Sequence, residues 1–288
     1  MNVYEMINSR ITELLEQGTV PWRKPWNAEN RQPTNLISKK PYRGVNVFLL
    51  TCQPYFSPYW LTFNQCKERG GFVRRGEKGT PVIFWKWLDK TTEDDSVPSV
   101  NGKIPLLRYY TVFNVEQCEG TKAPAVIQAC NLFSPIEKAD LVLQYMPMKP
   151  EIRHGGSRAY YSPSLDYIQL PEEQSFCSAE EYHNTLFHEC IHATGHANRL
   201  ARKSILEPSY FGSHDYSKEE LVAELGAAFL SAHAGIAHQT IENSVAYIQG
   251  WLKALKNDRT LMVYAAAQAQ KAAEFVLNQQ AEQEEEPA

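Results

Sequence analysis

The residues best equipped for chemistry in this 288-residue chain are His188-Glu189-Cys190-Ile191-His192, an H-E-x-x-H pattern. Histidines four apart share one face of a helix, so both imidazoles can reach a single tetrahedral ion. Glu189, next to the first histidine, is placed to take a proton from water at that ion. This is the general-base arrangement of zinc peptidases. Zn2+ suits the donors, and Mn2+ or another divalent ion does too, because imidazole and carboxylate serve several metals. Five residues alone recur by chance, so the setting must decide. Here S-A-E-E181 lies ten residues upstream and has the form of a capping box, which predicts a helix from Ser178 to about His196.

A catalytic zinc needs a third protein ligand. A histidine six residues after His192 would serve, but Asn198 stands there, and His196 reads better as a cation at a helix C-terminus. The other source is a carboxylate from a second helix, the gluzincin pattern. Glu220 and Glu224 are four apart in a run predicted helical from Ser217 to about Ala234. Glu220 is expected as the ligand and Glu224 as the carboxylate orienting a histidine, with the reverse assignment open. A competing role for Glu220 is to close a capping box with Ser217. Gly226-Ala227-Ala228 would let this helix pack close to the histidine helix. A strand over Tyr160–Leu170, interrupted at Pro163, precedes the motif and is expected to edge the cleft, where an extended peptide could pair with it. Tyr216, His214 and Arg199 are candidate oxyanion stabilisers. Cys190 points off the ligand face, which predicts a buried structural thiol.

Other elements follow from periodicity. Val3, Ile7, Ile11, Leu14 and Leu15 predict a helix over 3–17, stopped by Gly18. Tyr59–Arg69 reads as helix, while Thr80–Leu88 and Leu106–Val115 read as strands around a polar insertion at 89–104. A linker falls near 120–132, then a helix at 136–145. A long helix over 242–280, broken near Asn257-Asp258, leads into an acidic tail. The fold class is α+β. It comprises an N-terminal α+β domain (1–125) and a mainly helical domain carrying the metal motif (126–288).

Charge divides the same way. Residues 1–130 hold 17 basic against 12 acidic side chains, and the remainder holds 12 against 21. In the basic half, cations alternate with aromatics at Trp22-Arg23-Lys24-Pro25-Trp26, at Tyr42-Arg43 and from Phe72 through Arg74, Arg75 and Lys78 to Gly79. Single-stranded nucleic acid is gripped by this combination, with cations on phosphates and rings on bases. The plainer reading puts the tryptophans in a core and the cations on a solvated face. No apolar run nears the roughly 20 residues needed to span a bilayer, and the N-terminus lacks the basic start and apolar stretch of a signal peptide. Six scattered cysteines without a C-x-x-C pair read as reduced thiols. A cytoplasmic protein is expected.

Longer stretches carry a resemblance. M-N-V-Y-E-M-I-N-S-R-I-T-E-L-L-E-Q-G-T-V-P-W-R-K-P-W, P-Y-R-G-V-N-V-F-L-L, Y-W-L-T-F-N-Q and G-G-F-V-R-R-G-E-K-G-T-P-V resemble the N-terminal domain of the ArdC antirestriction family. D-Y-I-Q-L-P, F-H-E-C-I-H-A-T-G-H and Y-S-K-E-E-L-V-A-E-L-G-A-A-F-L resemble the zincin-like metallopeptidase domain that follows it there. The likeness implies a single-stranded-DNA-binding N-domain and protection of incoming conjugative plasmid DNA from host restriction. Trp22, Arg23, Lys24, Arg43, Arg74, Arg75 and Lys78 are then the expected DNA contacts. Two functions remain open. In one, an active peptidase with Glu189 as catalytic base removes a host restriction-related protein. In the other, the protein coats single strands or blocks restriction sterically, and the metal serves the fold. A general peptidase with a basic platform is a third, weaker reading.

Overall fold

A computed structural model describes residues 2–23, 32–89, 103–124, 133–207, 214–236 and 245–279. Helix α1 (Val3–Glu16) starts at a reciprocal capping box between Asn2 and Glu5, and Gly18 turns the chain at φ +78°. β1 (Thr34–Asn35) and α2 (Val45–Thr51) follow. The predicted helix over 59–69 is instead β2 (Tyr59–Thr62) joined to α3 (Phe63–Glu68). Trp60 and Leu61 are both buried, opposite Asn114 and Phe113 of the next strand, and Thr62 caps α3 in a box with Gln65. Sheet pairing overrides helical periodicity in so short a segment. β3 (Phe72–Val73) pairs with β6 (Cys118–Glu119), and the predicted strands form a long hairpin of β4 (Thr80–Asp89) and β5 (Lys103–Asn114). The main sheet runs β1-β2-β5-β4. Most of the polar insertion, residues 125–132 of the expected linker and the acidic tail lie outside the described residues.

The second half begins with α4 (Pro135–Tyr145). A three-stranded sheet follows, ordered β7 (Glu151–His154), β9 (Tyr167–Leu170), β8 (Tyr160–Ser162). The interrupted strand is thus a hairpin, and β8 is an edge. Then come α5 (Ala179–Thr194), α6 (Lys203–Leu206), α7 (His214–Ala234), α8 (Val245–Asn257) and α9 (Leu261–Val276). Ser178 caps α5 by accepting from the Glu181 amide, but the Glu181 carboxylate reaches back to the Cys177 amide, so only half the box is closed. α7 already begins at His214, so Ser217 lies within the helix and is not the N-cap that the Ser217–Glu220 box required.

One apolar cluster joins the two halves. Ile7, Ile11, Leu15 and Trp22 pack with Val47 and Phe48 and with Leu255, Leu261 and Ala269 of the last two helices. Asn46 locks α2 to β4, its side-chain amide both donating to and accepting from the Ile83 backbone at 2.8 Å. Among the described residues, no helix is long and apolar enough to cross a membrane.

Helices α5 and α7 meet at Gly226. A Cβ there would come within 2.7 Å of the fully buried Ile191 side chain. Gly226→Ala is therefore expected to cost about 1–3 kcal/mol through overpacking, read as a lower urea midpoint at unchanged slope.

Candidate metal centre

α5 and α7 place their ligands face to face. The Nε2 atoms of His188 and His192 lie 3.1 Å apart, and each is 3.6 Å from a Glu220 carboxylate oxygen. These donor atoms all fall within 4.8 Å of one another. Ligands at roughly 2.0–2.1 Å from a tetrahedral ion stand about 3.3–3.4 Å apart, so the triad fits a divalent ion. The two imidazoles cannot both carry a proton on nitrogens this close.

The tautomer of His192 is set from behind. Its Nδ1–H donates to Glu219 Oε1 at 3.2 Å, which leaves Nε2 to face the centre. Glu219 is 4% exposed and accepts from Arg202 at Nη2 (2.6 Å) and Nε (3.1 Å) and from the Ser204 hydroxyl. Burial pushes its carboxyl up, but the bonds from His192 and Arg202 outweigh this and hold the pKa at about 2. Arg202, 5% exposed, also donates to the Ile191 carbonyl and the Thr194 hydroxyl, closing the end of α5. Burial pulls the His188 pKa down, but hydrogen bonding to Glu220 and the charges of Glu189, Glu224 and Glu220 carry it to about 8. The centre is strongly electronegative, as a cation site must be.

Glu189 is buried and lines the same cleft of about 570 Å3, together with His188, His192, Glu220 and the edge-strand residues Tyr160 and Tyr161. Cys190 is fully buried, and burial pushes its thiol up to about 12, in line with a structural role. Two expectations change. Glu224 does not join the ligand cluster: its carboxylate pairs with Arg23 at 3.5 Å, and Glu219 takes the orienting role foreseen for it. Arg199 is no oxyanion donor, because its buried guanidinium is consumed by Asp166 and the Met148 and Ala193 carbonyls. The side chains of His214 and Tyr216 lie outside the described residues.

The basic residues divide. Trp22 is 1% exposed, with its indole N–H on the Tyr247 hydroxyl and its ring edge-on to Trp251, so it is core and offers no face to a base. Arg23 lies over the Tyr247 ring at 3.8 Å while pairing with Glu224. Arg43 is ion-paired with the buried Glu274 of α9. These two arginines tie the N-terminal half to α7, α8 and α9. Lys24 lies outside the described residues. Arg74, Arg75 and Lys78 are exposed on the turn between β3 and β4, with Arg74 held by Glu77 at 2.7 Å.

Two family models match this chain. The N-terminal domain of anti-restriction factor ArdC matches residues 1–113, and a zincin-like metallopeptidase matches residues 137–268. The crystal structure of the antirestriction ArdC protein from plasmid R388, in metal-free form, is 37% identical with a TM-score of 0.74, covering 98% of this chain and 100% of that one. This chain belongs to the ArdC family. A Mn(II)-bound ArdC structure aligns equally well, at 36% identity and TM-score 0.74 over 96% of this chain and 98% of that one. The protein y4eC of Sinorhizobium fredii is 34% identical over 98% of this chain and 93% of its own length. Two DNA primases TraC of Escherichia coli are 38% and 35% identical over 95% of this chain, which spans only 27% and 20% of their lengths.

In this ArdC-family member the donor set agrees with a divalent-metal site. Sequence reasoning missed Glu219 and Arg202. One signal was present: Glu219 adjoins Glu220, and a helix that aims one carboxylate at a metal turns its neighbour by about 100°.

Proposed function

We propose that this chain is an antirestriction protein that binds single-stranded DNA and holds a divalent ion, Zn2+ or Mn2+, on His188, His192 and Glu220 in a structural role. The end-to-end correspondence with ArdC carries this reading. The exposed turn 74–78 supports the DNA contact. Phe72 of β3, 57% exposed, stands two residues before Arg74 at the start of that turn. Stacking thus shifts from the buried Trp22 to Phe72, with Arg75 and Lys78 supplying phosphate contacts. The ion would staple α5 to α7 through ligands on both helices.

An ion at this triad supplies Lewis acidity when bound, and Glu189 can hold a proton beside it. The open cleft and edge strand β8 favour a second reading, a peptidase acting on a host restriction-related protein. Glu189→Gln separates the two. If the metal role is structural, plasmid protection in a conjugation assay and metal content both stay at wild-type levels. Loss of protection with metal retained establishes the peptidase reading instead.

The DNA contact has its own test. In anisotropy titrations against a labelled single strand and its duplex, the single strand is expected to bind more tightly and with salt sensitivity. Replacing Arg75 and Lys78 by alanine should flatten the log K versus log salt slope by about 1.4, at roughly 0.7 per phosphate contact on a single strand. Equal binding of both forms, or an unchanged slope, counts against the contact.

A further inference from the structure

The outward face of the sheet β7-β9-β8 carries a row of side chains that the metal centre does not use. Strand alternation sends Ile152, Tyr161, Ile168 and Leu170 inward and leaves Arg153, Tyr167 and Tyr160 side by side on the other face. The Arg153 guanidinium lies 4.0 Å from the Tyr167 ring centroid. Tyr160 meets Tyr167 edge-on at 6.1 Å, and their hydroxyls are 3.1 Å apart. Neither ring is fully buried: Tyr160 is 42% exposed and Tyr167 is half-buried, while the Arg153 side chain is 46% exposed. At one end of the row, Tyr160 forms part of the wall of the cleft that holds His188, Glu189 and Glu220.

The local charge runs against its surroundings. From Lys149 to Arg158 there are three cations, all exposed, and one carboxylate, Glu151, already paired with Arg153. This basic island sits in a half of the chain with 12 basic and 21 acidic residues. Cations beside braced aromatic rings that reach solvent complement a strand of unpaired bases, with phosphates on the cations and bases on the rings.

We propose that this sheet face is a second single-stranded DNA contact. Bases stack on Tyr160 and Tyr167, and Lys149, Arg153 and Arg158 take phosphates, so a bound strand runs to the rim of the metal cleft. The inference rests on the reading that the chain binds single strands. An acidic peptide shares the charge preference but lacks a flat face on every residue, and the test below includes it.

The full chain is titrated with a labelled thymidine 20-mer and, separately, with a Glu-rich peptide. The same strand carrying 5-iodouracil is photo-crosslinked and the adducts are mapped by mass spectrometry. Crosslinks are expected at Tyr160 or Tyr167. Tyr160→Leu and Tyr167→Leu should each weaken strand binding about 10-fold. Tyr160→Phe, which keeps the ring, should bind as the parent does, and a parental urea midpoint in the leucine variants excludes misfolding as the cause. Crosslinks confined to residues 1–124, with unchanged affinity in both leucine variants, overturn this inference and leave the single-strand reading intact. Peptide binding that the leucine variants lose while strand binding persists assigns the face to a peptide and also overturns it. Absence of any strand binding by the parent chain overturns both.

Discussion

Glu219→Gln is expected to weaken divalent-ion binding roughly 10–100-fold, the usual cost of losing the partner that orients a ligand histidine. Neither ligand nor base is touched. The neutral amide no longer holds the Nδ1–H tautomer of His192, and it leaves the Arg202 guanidinium, 5% exposed, without its carboxylate. Stability falls as well. The Glu219 carboxyl sits at about 2 against an ordinary 4.5, a gap worth roughly 3 kcal/mol. Because the folded value is the lower one, this contribution is complete above about pH 4.5 and disappears as pH falls toward 2. Urea unfolding of the apo-protein at pH 7 and pH 3 should therefore show a large difference between parent and variant at pH 7 and a smaller one at pH 3. Calorimetric titration with Zn2+ and Mn2+ reads the affinity. A variant that binds metal like the parent would refute the orienting role.

Glu220→Ala is expected to have the larger effect on the ion. It removes a donor, leaves two imidazoles, and should lower affinity by more than the roughly 10–100-fold attached to an outer partner. Glu224→Ala is the matched control, one turn along the same helix. Glu224 pairs with Arg23 and stands outside the ligand cluster, so its loss should leave stoichiometry at one ion and affect affinity only through charge. The opposite ranking would make Glu224 the ligand.

Helix α1, the α5 cap at Ser178, the β4–β5 hairpin and the break between α8 and α9 were legible because each is decided within a few residues. The signals were a capping side chain, an apolar stripe, alternation around a polar insertion, and an Asn-Asp pair. The segment 59–69 was misread because its strand half is held by pairing with β1 and β5, whose partner residues are more than twenty and more than forty residues away. The three central residues of the metal centre were equally local, since spacing four on a helix brings side chains together wherever the helix lies.

The sequence by itself therefore determined the histidine pair with its adjacent carboxylate, the pool of second-helix carboxylates, and the division into a basic and an acidic half. Tertiary structure alone decided which carboxylate faces which atom. Glu219, Glu220 and Glu224 are chemically alike, and the packing of α7 on α5, close where Gly226 meets Ile191, gives them His192 Nδ1, the ion site and Arg23 respectively. It also decided that Trp22, Arg23 and Arg43 join the two halves, while Phe72, Arg75 and Lys78 face solvent. Composition records that a cation or a ring is present. Whether its partner is a buried carboxylate or the solvent depends on contacts between segments distant in the chain.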